Sequence, residues 1–292
     1  MDETGLFYKL APDKTIASRQ IEGAKKSKVR VTVALTCNAD GSDMRESFII
    51  GHANKPRCFK KKSGSDLGFY YRSNKKAWMT SVLFIEWLHE LDVDMEQQRR
   101  KIVLLLDNAS SHTVSTMNLR AVTVVLLPPN TTARLQPLDA GIIASFKRRY
   151  RCRQLQHALD LDEAGASADI YAVDQLTTMR WLKAGWYEVP ASVVLNCFRH
   201  TGLVPGRSSS RRSQQEGDEM LNTTLVAQMR ALRIRDPMDI DTFVCSPAEE
   251  STEMEVMSAD YLLRVCAMLR SLDQRSTFKM MTWRSWKWLS TR

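Results

Sequence analysis

The chain has no C-x-x-C pair. Its six cysteines, Cys37, Cys58, Cys152, Cys197, Cys245 and Cys266, are scattered through 292 residues. That spacing points to neither a zinc site nor a disulfide framework, and a reducing setting is expected. Long hydrophobic runs are missing too. No apolar stretch approaches the roughly 20 residues that cross a bilayer, and the first residues lack the basic-then-apolar order of a signal peptide. The expectation is a soluble intracellular protein with no membrane partner. No internal repeat is found, and His52, His89, His157 and His200 show no ligand spacing and read as structural.

What is present is enough apolar residue, 43% of the chain, for one large core or two modest ones. Basic residues outnumber acidic ones by 42 to 33, a formal charge of +9 that favours a polyanionic partner without establishing one.

Periodicity supplies the elements. Leu6 to Leu10 reads as a strand near the start, and Val29 to Leu35 alternates like a strand with one buried face. Asn38-Ala39-Asp40-Gly41 is turn chemistry before Ser47 to Gly51, so a hairpin is predicted. A short strand is expected at Phe69 to Tyr71. Thr80 or Ser81 caps a helix whose apolar residues Val82, Ile85, Leu88, Leu91 and Met95 recur at helical spacing. Ile102 to Leu106 and Val122 to Leu127 are short and rich in branched residues, which predicts two strands buried on both faces. The first ends at Asp107 and Asn108. The second breaks at Pro128-Pro129-Asn130, and a loop leads to Asp139 at the mouth of a helix with the stripe Ile142, Ile143, Phe146 and Tyr150. Two carboxylates thus reach the rim of a sheet, where open α/β sheets bind ligands. Two further helices are expected, near Ala172 to Trp186 and from Pro190 to Gly202.

Beyond Gly202 the pattern weakens. Residues 203–254, with GRSSSRRSQQEGD over 206–218, read as a disordered linker, and 255–292 as a helical tail carrying Trp283, Trp286 and Trp288. The tail has two readings, packing on the core or stacking on nucleic acid.

LLLDNASSH, PPNTT and LQPLDAGIIASFK occur in this order, with MDETGLF at the start and FIIGHANKPRCFK, YRSNKKAWMTS and LNCFRHTGL between and beyond. Together they resemble the DDE superfamily endonuclease domain of pogo and Tigger transposases, the group that also gave rise to centromere protein B. The resemblance covers roughly residues 2 to 202. It implies an α/β fold, a ribonuclease-H-like mixed sheet flanked by helices, followed by a largely irregular C-terminal tail. It also implies three acidic ligands for two Mg2+ or Mn2+ ions, matching Asp2, Asp107 and Asp139 here. Hard divalent ions take carboxylate oxygens, and a pair about 4 Å apart activates the attacking oxygen and stabilises the leaving one. Water would be the nucleophile for nicking and a DNA 3′-hydroxyl for strand transfer, with no covalent protein–DNA intermediate.

By the same resemblance Asn108 and His112 stand beside the second carboxylate. His112 either shapes the site or contacts phosphate, or it hydrogen-bonds its own loop. Glu3 adjoins Asp2 on a strand, so at most one of them faces the metals. Lys147, Arg148, Arg149 and Arg151 are candidates for the DNA backbone, with a solvated helix face as the alternative. DNA as partner and nuclear residence are implied, and the Lys60 to Lys62 cluster is compatible with the latter. Two departures stand out: no N-terminal helix-turn-helix module is present, and Met1 directly precedes Asp2, an arrangement expected to fray. Three readings follow: a metal-dependent DNA endonuclease or strand transferase, a catalytically silent domesticated DNA-binding or chromatin-associated protein, or a relic fragment.

Overall fold

A computed structural model describes residues 1–12, 27–112, 118–128, 132–165, 169–205, 211–234 and 236–249. The expected Trp-rich tail over 255–292 lies outside them, as do Pro129, Asn130 and Thr131 of the PPNTT motif and residues 206–210, 235 and 250–254 of the expected linker. The described residues fall into two compact units. One is drawn from Met1–Met79, Val103–Ala109 and Val124–Glu253, the other from Thr80–Ile102 and Ser110–Thr123.

The larger unit is built on a four-stranded sheet of β1 (Asp2–Phe7), β2 (Arg30–Leu35), β3 (Phe48–Gly51) and β4 (Tyr71–Ser73), in that spatial order. β1 and β2 pair antiparallel from Asp2 opposite Leu35 to Phe7 opposite Arg30. β2 and β3 form the antiparallel hairpin expected from Asn38 to Gly41, and β4 joins β3 in parallel. β1 begins earlier than Leu6 because β2 offers a partner to all six of its residues.

β2 departs from the prediction of one buried face, since all six residues are buried. Val31, Val33 and Leu35 enter the main apolar core. On the other face, the Thr32 hydroxyl donates to the Ala77 carbonyl at 2.6 Å and the Arg30 guanidinium stacks on Trp78. A polar residue can be buried where its hydrogen bonds are met, so alternation in the sequence did not mean exposure.

Helices cover this sheet. α3 (Ile143–Glu163) buries Ile143, Phe146 and Tyr150 as expected, and the Tyr150 hydroxyl donates to the Tyr8 carbonyl at 2.8 Å. α4 (Gln175–Tyr187) is capped by Asp174, which accepts from Thr177 N, and α5 (Ala191–His200) starts after Pro190. Trp186 of α4 is fully buried and its indole N–H donates to the Arg45 carbonyl at 2.7 Å.

The larger unit does not stop at Gly202. Where a linker was expected, α6 (Arg211–Ala231) and α7 (Ile240–Val244) are present. Leu225, Met229, Phe243 and Val244 are buried with Phe7, Leu10 and Leu155 in a second apolar cluster. α6 is polar in composition, and some of its polar groups bond α3: the Gln228 amide donates to the Cys152 carbonyl at 3.1 Å.

In the smaller unit α1 (Ser81–Gln97) is capped by Thr80, which accepts from Leu83 N. Its apolar face buries Phe84, Ile85, Trp87, Leu88, Leu91 and Met95. Asp92 on the same face accepts from the backbone N–H groups of Arg120, Ala121 and Val122 at 2.8 to 3.1 Å, fixing the chain that leads into the last strand.

β5 (Ile102–Leu106) and β6 (Val122–Leu126) form a two-stranded sheet. Bonds from Ile102 N to the Ala121 carbonyl and from Leu127 N to the Leu106 carbonyl advance in the same sense along both strands, which makes them parallel. Neither is buried on both faces as predicted: Val103 is 63% exposed, and Val125 and Leu126 are 42% exposed.

Candidate functional site

Asp2, Asp107 and Asp139 all belong to the larger unit. Asp2 opens β1 opposite Leu35 and is only 6% exposed; its Oδ1 accepts from Glu3 N at 2.8 Å. Met1 before it is buried, and its amine donates to the Leu105 carbonyl of β5 at 3.2 Å. The expected fraying is therefore not what the fold contains: strand pairing on one side and this bond on the other seat Asp2 beside the end of β5.

Asp107 is the first residue past β5, half-buried, and its Oδ1 accepts from Ala109 N at 3.4 Å. A carboxylate that bonds the backbone two residues on is a turn-forming device. Asp139 lies in a wide π-type turn, Leu138–Ile142, between buried Leu138 and Ile142, and is itself exposed. Gly141 breaks this turn at φ 145° before α3 begins. Such widened turns recur at functional sites because they re-aim a side chain that a regular helix would direct elsewhere.

Asp2 feels the other two carboxylates. Burial first, then the charges of Asp139, Glu3 and Asp107, push the Asp2 carboxyl well above the usual range, with the Met1 amine opposing. Burial lowers that amine in turn, against the pull of Asp2, Cys37, Glu3 and Asp107. Oxygen donors whose charges repel are the donor set that a hard divalent cation neutralises, so the residues fit such an ion by chemistry. Their spacing is looser: among the described residues no three His, Cys, Asp or Glu groups stand close enough together to hold a metal ion.

Asn108 follows Asp107 and is exposed. His112 belongs to the smaller unit, where it is buried with its ring 4.7 Å from that of Phe84. Of its two readings, direct phosphate contact has no exposed ring to make it.

The basic residues of α3 require a correction. Lys147 and Arg151 are 0% exposed, and both pair at 2.8 Å with Glu249, itself fully buried. Glu249 Oε1 also accepts from Phe7 N of β1 at 2.7 Å, and Arg151 donates to the Phe7 and Phe243 carbonyls. Arg148 bonds Asn222, Asp218 and Asp241, and Arg149 donates to the Ser145 and Glu188 carbonyls. These side chains bind α6, α7 and the end of α4 to α3, so none of the four reads as a free contact for a DNA backbone. Lys147 and Arg151 share the spacing of Ile143, Phe146 and Tyr150, a signal that could have placed them in the buried stripe. Glu249, which compensates them, had no such signal.

The profile of the DDE superfamily endonuclease matches residues 28–198, a span that holds Asp107 and Asp139 and leaves Asp2 outside. ARS-binding protein 1 of Schizosaccharomyces pombe is 31% identical over 261 residues, 86% of this chain and 49% of that protein. Tigger transposable element-derived protein 4 of Mus musculus is 26% identical over 243 residues, 82% and 46% of the two chains. Major centromere autoantigen B of Homo sapiens is 27% identical over 209 residues, 71% and 34%. The chain thus spans about half the length, or less, of these relatives. No solved structure is a significant match. With a profile match over more than half its length, the chain belongs to the DDE superfamily endonuclease family, among relatives that include transposable element-derived and centromere proteins.

Proposed function

We propose that this chain cleaves DNA phosphodiester bonds, or joins a DNA 3′-hydroxyl to a phosphate, using Asp2, Asp107 and Asp139 to hold two Mg2+ or Mn2+ ions. The observation that carries the reading is the gathering, in one compact unit, of three carboxylates from distant parts of the chain, close enough for Asp139 and Asp107 to raise the proton affinity of Asp2. Three antiparallel strands followed by the parallel pair β5 and β6, with helices on the sheet, support a ribonuclease-H-like fold. When bound, the ions activate an attacking oxygen and stabilise the leaving one.

The chain's own work is positional. β1 pairing and the Met1 bond hold Asp2, the turn after β5 holds Asp107, and Asp139 on its wide turn stays open to solvent and substrate. Nuclear residence is part of the same proposal.

A supercoiled plasmid tests this. Nicking should require Mg2+ or Mn2+ and fall by at least about a hundredfold in Asp107→Asn and Asp139→Asn, since even small misplacement in such sites costs that much. Mg2+ should also raise the thermal midpoint of the wild type and leave that of Asp107→Asn unmoved. A wild-type chain that nicks nothing, or variants that nick as well as it does, would end the proposal.

The looser spacing of the carboxylates favours a second reading, a catalytically silent DNA-binding or chromatin-associated protein that keeps the fold. That protein would retain DNA in a salt-dependent way with no metal requirement.

A further inference from the structure

The chain from His52 to Lys76 surrounds β4 and, among the described residues of the larger unit, carries a dense run of exposed positive charge. Lys55, Arg57, Lys60, Lys61, Lys62 and Lys75 are all exposed, and none forms an ion pair with a described acidic residue. Asp66 is the single acid between Ser47 and Glu86. It is committed locally, accepting from Ser63 N at 2.9 Å, and Ser63 first, then Lys62 and Lys55, hold its carboxyl below the usual range. Lys55 and Lys62 therefore share one neighbourhood. The second arm is tied to the first: His52 Nδ1 lies 2.7 Å from the Lys75 carbonyl, and Asn74 N donates to the Gly51 carbonyl at 3.0 Å.

The display is rigid where the charge is highest. Phe59 is buried against Tyr71 with ring centroids 5.2 Å apart, and the turn closes through Phe59 N to Pro56, Lys60 N to Arg57 and Lys62 N to Phe59. Lys60 and Lys61 both sit at positive φ, 50° and 70°. Glycine would adopt this backbone without strain, whereas lysine there costs energy and supplies two charges. No large hydrophobic side chain is exposed along the stretch, so nothing on it would enter a lipid surface.

Resting on the DNA-directed reading above, we infer that this basic shelf binds the phosphate backbone of duplex DNA without sequence choice, in the role that the α3 cations do not fill. Each phosphate neutralised adds about 0.9 to the slope of log affinity against log salt.

The test is anisotropy of a fluorescein-labelled 30-base-pair duplex of arbitrary sequence at several salt concentrations, in EDTA. Lys60→Gln/Lys61→Gln/Lys62→Gln should keep the wild-type thermal midpoint, bind about tenfold or more weakly, and lower the salt slope by about 2 to 3. The control Arg99→Gln/Arg100→Gln/Lys101→Gln removes the same charge from another exposed stretch and should change affinity less than threefold. Equal loss in both variants, an unchanged slope in the first, or wild-type binding to phosphatidylserine vesicles or an acidic peptide but not to DNA would overturn the inference. Because EDTA removes metal, a chain that binds through this shelf yet never nicks fails only the cleavage proposal.

Discussion

Glu249 shows how much one side chain can organise. Its two oxygens accept from Lys147, Arg151 and the backbone of Phe7, all out of water. Gathering two cations around one buried carboxylate yields little net stability, because desolvation offsets the attraction, but removing the anion leaves two charges stranded. Glu249→Gln preserves shape and one acceptor while discarding that charge. It should cost about 3 to 5 kcal/mol in urea unfolding; a loss under about 1 kcal/mol would mean that water reaches the cluster. At this scale the sequence was legible only in part. Asp107 and Asp139 could be picked out by the motifs around them, whereas the fate of Lys147 and Arg151 depended on a partner about a hundred positions away.

Gly141 matters for the element that begins there. At φ 145° it uncouples the turn bearing Asp139 from the regular geometry of α3, and an added Cβ would lie 3.3 Å from Cys197 Sγ on α5. Gly141→Ala should therefore lower stability by about 1 to 3 kcal/mol through backbone strain. It should reduce metal-dependent nicking more than it reduces DNA retention, since the shelf around β4 lies on other elements. Wild-type nicking in that variant would show that the turn need not be bent to aim Asp139. Elements with a clear period, such as α1, α3 and the β2–β3 hairpin, were readable from the chain alone. β5 and β6 misled because a run of branched residues implies burial on both faces, and α6 was overlooked because its buried apolar residues, Leu225 and Met229, are few beside the polar groups that also bond α3.

For the whole molecule, packing among the described residues runs on to Glu249, well past the end of the family profile at residue 198 and the motif-based limit at 202. A chain ending at residue 205 would lack α6, α7 and Glu249, baring Leu155, Phe7 and Leu10 and leaving Lys147 and Arg151 without their anion. It should lose its cooperative thermal transition and bind a hydrophobic dye, as loosely packed chains do. A sharp melt from that shorter chain would instead make the last helices an accessory layer. The family could be read from short motifs, but the extent of its folding unit could not, because composition registers polarity and not pairing.

Val103, Val125 and Leu126 leave grease on the outside of two paired strands. Concentrated solutions of the protein would then be prone to cloud, since molecules can adhere through these side chains before any DNA is added. Threonine keeps the branched shape that strands favour while wetting the surface, so Val103→Thr with Val125→Thr is the natural starting material for crystals.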